Sequence, residues 1–346
     1  MKPCGVIIIG GSGYGAGELL RLLSLHPSIE VCGVVSRSHA GAAVDSVHTH
    51  LTGITKLSFQ SDPPLQDLRR FKKSAVILAM PSGQAVGAIA QLRRAGLAEE
   101  VTILDLSGDL RLRDEATHSR FYPEAPFAPD IRRTFCYGLP ELSDERRSQI
   151  ANPGCLATAA ILALAPFASG AFVGSIVIDA KTGTSGAGRE PQASMHHPAR
   201  ASDFTAYKAL QHRHEPEIVQ AFGGDFQRRH PLMFVPHLIP VPRGIFVTVY
   251  GELSELSTAE EVSARVREFY RSSRFIRVRP TPPRLVDVVG TNFCDIAVSV
   301  RGRQIVVMTA IDNLGKGMAG QAIQNLNRAF DLPEDLGLLG TALGPV

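Results

Sequence analysis

The chain has 346 residues, 44% of them hydrophobic and 20% charged, enough to bury a large core and to divide into two domains. A formal charge of +3, with dispersed arginines and no interleaving of aromatic and basic residues, argues against a nucleic-acid partner and suits a small anionic one. Five scattered cysteines without a CxxC pair argue against a disulfide framework and a metal centre, and the lack of a signal-like start or of a bilayer-length apolar run predicts a cytoplasmic protein without a membrane partner.

The first half alternates short apolar runs with helical ones, the pattern of a parallel sheet wound with helices. Strands are expected at Val6–Ile9, Val31–Val35, Ser74–Ala79 and Val101–Asp105, with helices at Gly17–Leu23 and Gln84–Ala95. From about residue 154 the texture changes to longer strands: Ser175–Ala180, Leu232–Val241, Gly244–Tyr250, and a hairpin of Phe293–Val300 with Gln304–Ile311. A helix among them carries a capping-box spacing, read as Ser257 with Glu260. The fold class expected is an α/β Rossmann domain plus an α+β domain on a mixed or antiparallel sheet. The boundaries are 1–153 and 316–346 for the first, with the last helix, about Met318–Phe330, returning to it, and 154–315 for the second.

Between the first strand and the first helix lies Gly10-Gly11-Ser12-Gly13-Tyr14-Gly15-Ala16-Gly17. A glycine-rich turn in that setting brings backbone N–H groups and a helix N-terminus to a pyrophosphate, with Gly10, Gly13 and Ala16 in the three fingerprint positions. Gly10, Ser12, Gly13, Tyr14, Gly15 and Ala16 are therefore cofactor-binding candidates. An acidic residue at the end of the second strand would select NAD, but here the chain reads Ser36-Arg37-Ser38-His39. A cation and hydroxyl groups bind a 2′-phosphate, so Ser36 and Arg37 point to NADPH.

Asn152-Pro153-Gly154-Cys155 runs straight into the helix-forming Leu156–Leu164. A helix that opens on a cysteine aims its free N–H groups at the sulfur and favours the thiolate, so Cys155 reads as a nucleophile; the bland alternative is a small buried hydrophobe. His212-Arg213-His214-Glu215-Pro216-Glu217 begins another helix, and His214, three residues before Glu217, is the candidate general acid and base, oriented by that carboxylate. His212 is a substrate-binding candidate. Asp179–Arg189 is a strand running into a glycine-rich loop that ends on arginine, a potential nest of N–H groups. Its Ser185 and Gly186 are cofactor candidates, and Ser185 and Arg189 are substrate candidates. Arg111, after Asp105-Leu106-Ser107-Gly108-Asp109-Leu110, is a further anion-binding candidate at the carboxyl edge of the first sheet.

With these residues in place, the sequence resembles the N-acetyl-gamma-glutamyl-phosphate reductase family, within the aspartate-semialdehyde dehydrogenase-like superfamily, over nearly its whole length. The matching segments are the Gly10–Tyr14 turn with Glu18–Leu23, Asp105–Arg111, Tyr137–Leu142, Asn152–Cys155, Lys181–Arg189, His212–Glu217, and Asp312-Asn313-Leu314-Gly315-Lys316-Gly317 leading to Gly320-Gln321-Ala322. The resemblance implies NADPH, a catalytic cysteine at Cys155, a histidine base at His214, substrate contacts by Arg111 and Glu217, a nicotinamide-side contact by Asn313, and a homo-oligomer, a tetramer or else a dimer. It implies reduction of a small acyl-phosphate substrate, N-acetyl-L-glutamyl 5-phosphate, in arginine biosynthesis.

Two departures bear on the substrate. Leu156 and Ala157 stand where the family usually has an aromatic residue and a proline. Ser194-Met195-His196-His197-Pro198-Ala199-Arg200 resembles the sister reductases that act on carrier-protein-linked aminoadipyl phosphate in lysine biosynthesis, whereas the Arg189 loop favours the arginine enzyme. A non-catalytic NADP-binding regulator is the alternative from a different class.

Overall fold

The computed structural model describes residues 2–143 and 145–342. Contacts divide it into two units, Met1–Pro153 with Met318–Leu339, and Gly154–Gly317 with the chain from Gly340. The first boundary falls between Pro153 and Gly154. The second differs from the sequence expectation, because Lys316 and Gly317 remain with the second unit. The reason is steric: a Cβ at Gly317 would stand 2.8 Å from Cys155 Cβ, so this glycine lies against the cysteine's own backbone.

The first unit is built on a parallel sheet of β1 (Cys4–Ile9), β2 (Ile29–Val35), β3 (Phe59–Gln60), β4 (Lys73–Leu78), β5 (Thr102–Asp105), β6 (Cys136–Tyr137) and β7 (Gln149–Ala151), in the order β3-β2-β1-β4-β5-β7-β6. Val6, Ile7 and Ile8 are fully buried, as expected of a central parallel strand covered on both faces. The order reverses between β1 and β4, the switch point at which such sheets open a ligand crevice beyond their carboxyl ends. The helix Gly320–Ala329 belongs to this unit, where Asn325 donates to Gly138 O (2.9 Å) and Asn327 meets His26 (3.0 Å).

The first helix spans Tyr14–Ser24, three residues earlier than the glycine-rich text suggests. Gly15 and Gly17 are helical because neighbours press on them: a Cβ at Gly15 would meet Met318 Cε at 2.4 Å, and one at Gly17 would meet His48 Nδ1 at 2.7 Å. Their smallness serves close packing, which outweighs their poor helix propensity.

The second unit has a mixed sheet of β8 (Phe172–Thr182), β9 (Thr205–Ala206), β10 (Leu232–Leu238), β11 (Ile245–Leu253), β12 (Ile276–Val278), β13 (Cys294–Arg301) and β14 (Gln304–Ile311), in the order β12-β13-β14-β11-β8-β10-β9. β10 pairs parallel with β8 and stops at Leu238, three residues before the expected end. The helix Cys155–Leu164 crosses β11 and β14, with Leu156 to Leu164 all buried. Such an all-round apolar helix is a core element. On the sheet face beneath, Ile178, Ala180, Val247, Val249, Val307 and Ile311 alternate inward. Thr309 Oγ1 and the Tyr270 hydroxyl bind the helix's carbonyls at Ala159 (3.2 Å) and Leu162 (2.7 Å).

The capping box lies one residue beyond its expected place. Thr258 caps the helix Ala259–Phe269 and exchanges bonds with Glu261, while Ser257 N–H is bonded to Gly302 O (3.3 Å). Both pairs satisfy the same spacing, and the backbone bond to the β13–β14 turn selects between them.

Candidate active site

In the first unit, Gly10 sits at the end of β1 with φ +92°, and a Cβ there would lie 2.5 Å from Ala79 O. Only glycine fits that left-handed, crowded position. Its N–H and that of Gly11 bond to Val35 O (3.0 and 2.8 Å), which fixes the turn against the end of β2. Gly13 takes the N-cap position, and a Cβ added to it would meet nothing within 4 Å. The start of the Tyr14–Ser24 helix therefore faces open space, with no side-chain cap on its N–H groups. Ser12 and Gly15 are half-buried around it, Tyr14 is exposed, and Ala16 is packed into the core. This cradle accommodates a pyrophosphate.

At the carboxyl end of β2, Ser36 is buried, and its hydroxyl joins Ser38 Oγ (3.3 Å) and His39 Nδ1 (3.3 Å). Arg37 is exposed beside this cluster and makes no ion pair or hydrogen bond among the described residues. A guanidinium without a carboxylate partner, next to two hydroxyls and a histidine, suits a phosphate ester and would repel no 2′-phosphate.

Arg111 is also in this unit, nearly buried. Its Nε donates to Asn152 O (2.8 Å) and an Nη to Leu106 O (2.9 Å). It braces the segment leading to Cys155 by tying the turn after β5 to the residue after β7.

In the second unit, Cys155 is half-buried and is the first residue of its helix, behind Gly154 in extended conformation (φ −69°, ψ 144°). Glu217, fully buried, accepts the Gly154 N–H through Oε2 (2.9 Å). Its Oε1 lies 3.9 Å from His214 Nε2. A Cβ on Gly154 would stand 2.4 Å from that Nε2 and 2.8 Å from Oε1, so the histidine ring and the carboxylate are pressed against the backbone next to the cysteine. His214 caps the helix Glu215–Phe222 and Glu217 lies in its first turn, which gives the i, i+3 alignment that the sequence suggested.

His212 is buried behind His214. Its Nδ1 accepts the His214 backbone N–H (3.1 Å), and the two rings meet edge to face at 4.7 Å. Burial, with Arg213 and Lys208 adding positive charge, pulls its pKa down to about 3, so it is neutral. Tyr207, edge-on to His212 at 5.4 Å, has its hydroxyl pKa raised first by burial and then by the nearby Cys155 charge. Tyr207 stands five residues before the His212–Glu217 segment and belongs to no sequence motif.

The glycine-rich loop is held from below. Thr184 and Ser185 N–H groups bond to Val241 and Pro242 carbonyls (2.9 and 3.0 Å), and Asn313 donates to Ser185 Oγ (2.9 Å) while accepting Gly244 N–H (2.7 Å). Ser185 is half-buried, whereas Gly186 and Arg189 are exposed. The structure thus joins Asn313 to Ser185 and groups Cys155 with His214, Glu217 and His212. Asp312, which its sequence context does not single out, is fully buried and accepts Arg243 (2.9 Å), Gly290 N–H (2.6 Å) and Leu314 N–H (2.9 Å). It fixes the turn that presents Asn313.

The chain thus consists of a Rossmann unit and a mixed-sheet unit whose first helix opens on a cysteine. The family models for the semialdehyde dehydrogenase NAD binding domain and dimerisation domain match residues 5–150 and 155–313. The fold is shared with aspartate semialdehyde dehydrogenase II from Vibrio cholerae, at a TM-score of 0.64 and 16% identity, over 96% of this chain and 99% of that one. Much nearer in sequence are proteins named N-acetyl-gamma-glutamyl-phosphate reductase. That of Methanosarcina barkeri is 40% identical over 98% of both chains, and that of Bacillus subtilis is 38% identical over 98% of this chain and 99% of its own. The chain belongs to the N-acetyl-gamma-glutamyl-phosphate reductase family.

Proposed function

We propose that this protein reduces N-acetyl-L-glutamyl 5-phosphate to N-acetyl-L-glutamate 5-semialdehyde and phosphate, the step its relatives are named for in arginine biosynthesis. The observation that carries the reading is the clasp of Gly154 by Glu217 and His214 at the start of the Cys155 helix. It sets an acid–base pair beside a sulfur at a helix N-terminus, where a thiolate is favoured.

In this mechanism Cys155 Sγ attacks the acyl carbonyl, the C–O bond to phosphate breaks, and the phosphate leaves with its electron pair. The product on the enzyme is a thioester. The Gly10–Ala16 turn, with Ser36 and Arg37 for the 2′-phosphate, would hold NADPH, which when bound would supply the hydride. His214 takes the thiol proton and, as the imidazolium, stabilises the oxygen charge that develops as hydride adds to the thioester; that electron pair then re-forms the carbonyl, the C–S bond breaks and the thiolate returns. Glu217 orients His214, and neutral His212 fixes its backbone. Ser185 and Gly186 serve the nicotinamide side together with Asn313, and Ser185 also meets the substrate. Arg189 and His212 bind the anionic substrate, and Arg111 contributes there by bracing the Asn152 segment.

The description of the second unit's family model as a dimerisation domain supports a homo-oligomer, which we take to be a tetramer rather than a dimer. No helix of the described residues is long and apolar enough to cross a membrane, which accords with a cytoplasmic enzyme. The test is the reverse reaction, phosphate-dependent reduction of NADP by N-acetylglutamate semialdehyde. Turnover with this free substrate supports the reading; turnover confined to carrier-linked aminoadipate semialdehyde contradicts the substrate.

A further inference from the structure

Away from the dinucleotide turn, the first unit contains a cavity of about 350 Å³ walled by four arginines, Arg113, Arg132, Arg133 and Arg147, and by the rings of Phe127 and Phe135. Among the described residues, no acidic side chain is part of its lining. Phe135 and Arg147 stand just before β6 and β7, at the amino ends of their strands. Arg113 and the carbonyls that hold Arg132 belong to the segment after β5, and the cavity shares no lining residue with the Gly10–Ala16 turn.

Arg132 is the built part of the site. It is only 6% exposed, and its guanidinium donates to Asp109 O (2.6 Å) and to Leu112 O and packs over Phe127 at 4.5 Å. Its Nε has no acceptor among the described residues. Those hydrogen bonds go to neutral carbonyls, and burial depresses the group's pKa to about 10, partly offset by Asp109 and Asp105 at longer range. Arg133 and Arg147 are exposed and pair with Asp130 and with Glu145 (2.5 Å), both also exposed. Exposed pairs of that kind are worth little, so both side chains can be recruited by a stronger anion. Several guanidiniums around a partly apolar hollow concentrate positive potential there, and their planar forks match phosphate oxygens. The volume exceeds what a lone phosphate fills, and two aromatic walls leave room for a flat ring.

We propose that this cavity is a second ligand site, for a nucleoside monophosphate whose phosphate meets the arginines and whose base lies along the phenylalanine walls. Occupancy of the dinucleotide turn does not compete with it. The test is calorimetric titration of the full-length protein with AMP, adenosine and inorganic phosphate, at saturating NADPH. AMP is expected to bind saturably and more tightly than either fragment. Arg133→Ala with Arg147→Ala should weaken it roughly tenfold or more, the scale of a lost charge-assisted contact, while NADPH affinity stays unchanged. Both positions are exposed, and a matched thermal transition for the double variant checks that it is folded. Absence of AMP binding, binding no tighter than that of inorganic phosphate, or indifference to the double variant would overturn the proposal.

Discussion

The buried carboxylate of Glu217 accepts the backbone N–H of Gly154 at 2.9 Å, which couples the histidine helix to the residue immediately before Cys155. Glu217→Leu removes the acceptor and strands a buried N–H, at a cost of about 1–3 kcal/mol in stability. Glu217→Gln keeps an acceptor but removes the charge beside His214. The glutamine variant is expected to fold normally and to lose turnover with NADPH affinity intact, which urea denaturation and steady-state kinetics would separate. Unchanged kcat in Glu217→Gln would reduce this carboxylate to a structural brace.

Arg37 stands exposed beside Ser36, Ser38 and His39. Arg37→Asp removes a charge-assisted contact of about 1.5–3 kcal/mol to the 2′-phosphate and adds repulsion. The ratio of kcat/KM for NADPH to that for NADH should fall at least tenfold on that scale. A constant ratio would place the 2′-phosphate elsewhere.

His212 titrates near 3 when folded because it is buried, against 6.5 unfolded. Between those values the unfolded chain holds a proton that the folded one does not, so this residue's contribution is complete above pH 6.5 and is lost as pH falls towards 3. His212→Asn keeps an acceptor for the His214 N–H without titrating. Its urea midpoint should decline less steeply from pH 7 to pH 5 than that of the wild type, and an identical decline would contradict the buried neutral state.

Thr258 rather than Ser257 caps the Ala259–Phe269 helix. Thr258→Ala should cost about 1 kcal/mol, and Ser257→Ala much less. Equal effects on the denaturation midpoint would argue against the observed capping register.

That one-residue slip illustrates how the chain discloses itself. The β1 run of Val6 to Ile9 and the glycine turn behind it were legible because burial on both faces and a left-handed turn each demand a residue type. The start at Tyr14 was not, because Gly15 and Gly17 are there for Met318 and His48, neighbours distant in sequence. The same limit applies at the site. The i, i+3 spacing disclosed His214 with Glu217, but the contact that matters, Glu217 with Gly154, joins residues 63 positions apart. Arg111 read as a free anion binder, yet its guanidinium is engaged with Asn152 and Leu106 carbonyls. The arginine-walled cavity was invisible because its side chains come from three separate segments of the chain, around residues 113, 127–135 and 147.

The central claim is a covalent acyl group on Cys155, and it can be observed without turnover. The protein is mixed with N-acetylglutamyl phosphate in the absence of NADPH, quenched in acid, and its intact mass and cysteine-containing peptides are measured alongside released phosphate. The mechanism requires one N-acetylglutamyl group per chain on Cys155 in step with phosphate release, discharged as semialdehyde when NADPH is added, and none on Cys155→Ser. Phosphate release with no acyl group on the protein, or an acyl group that persists in Cys155→Ser, would contradict it.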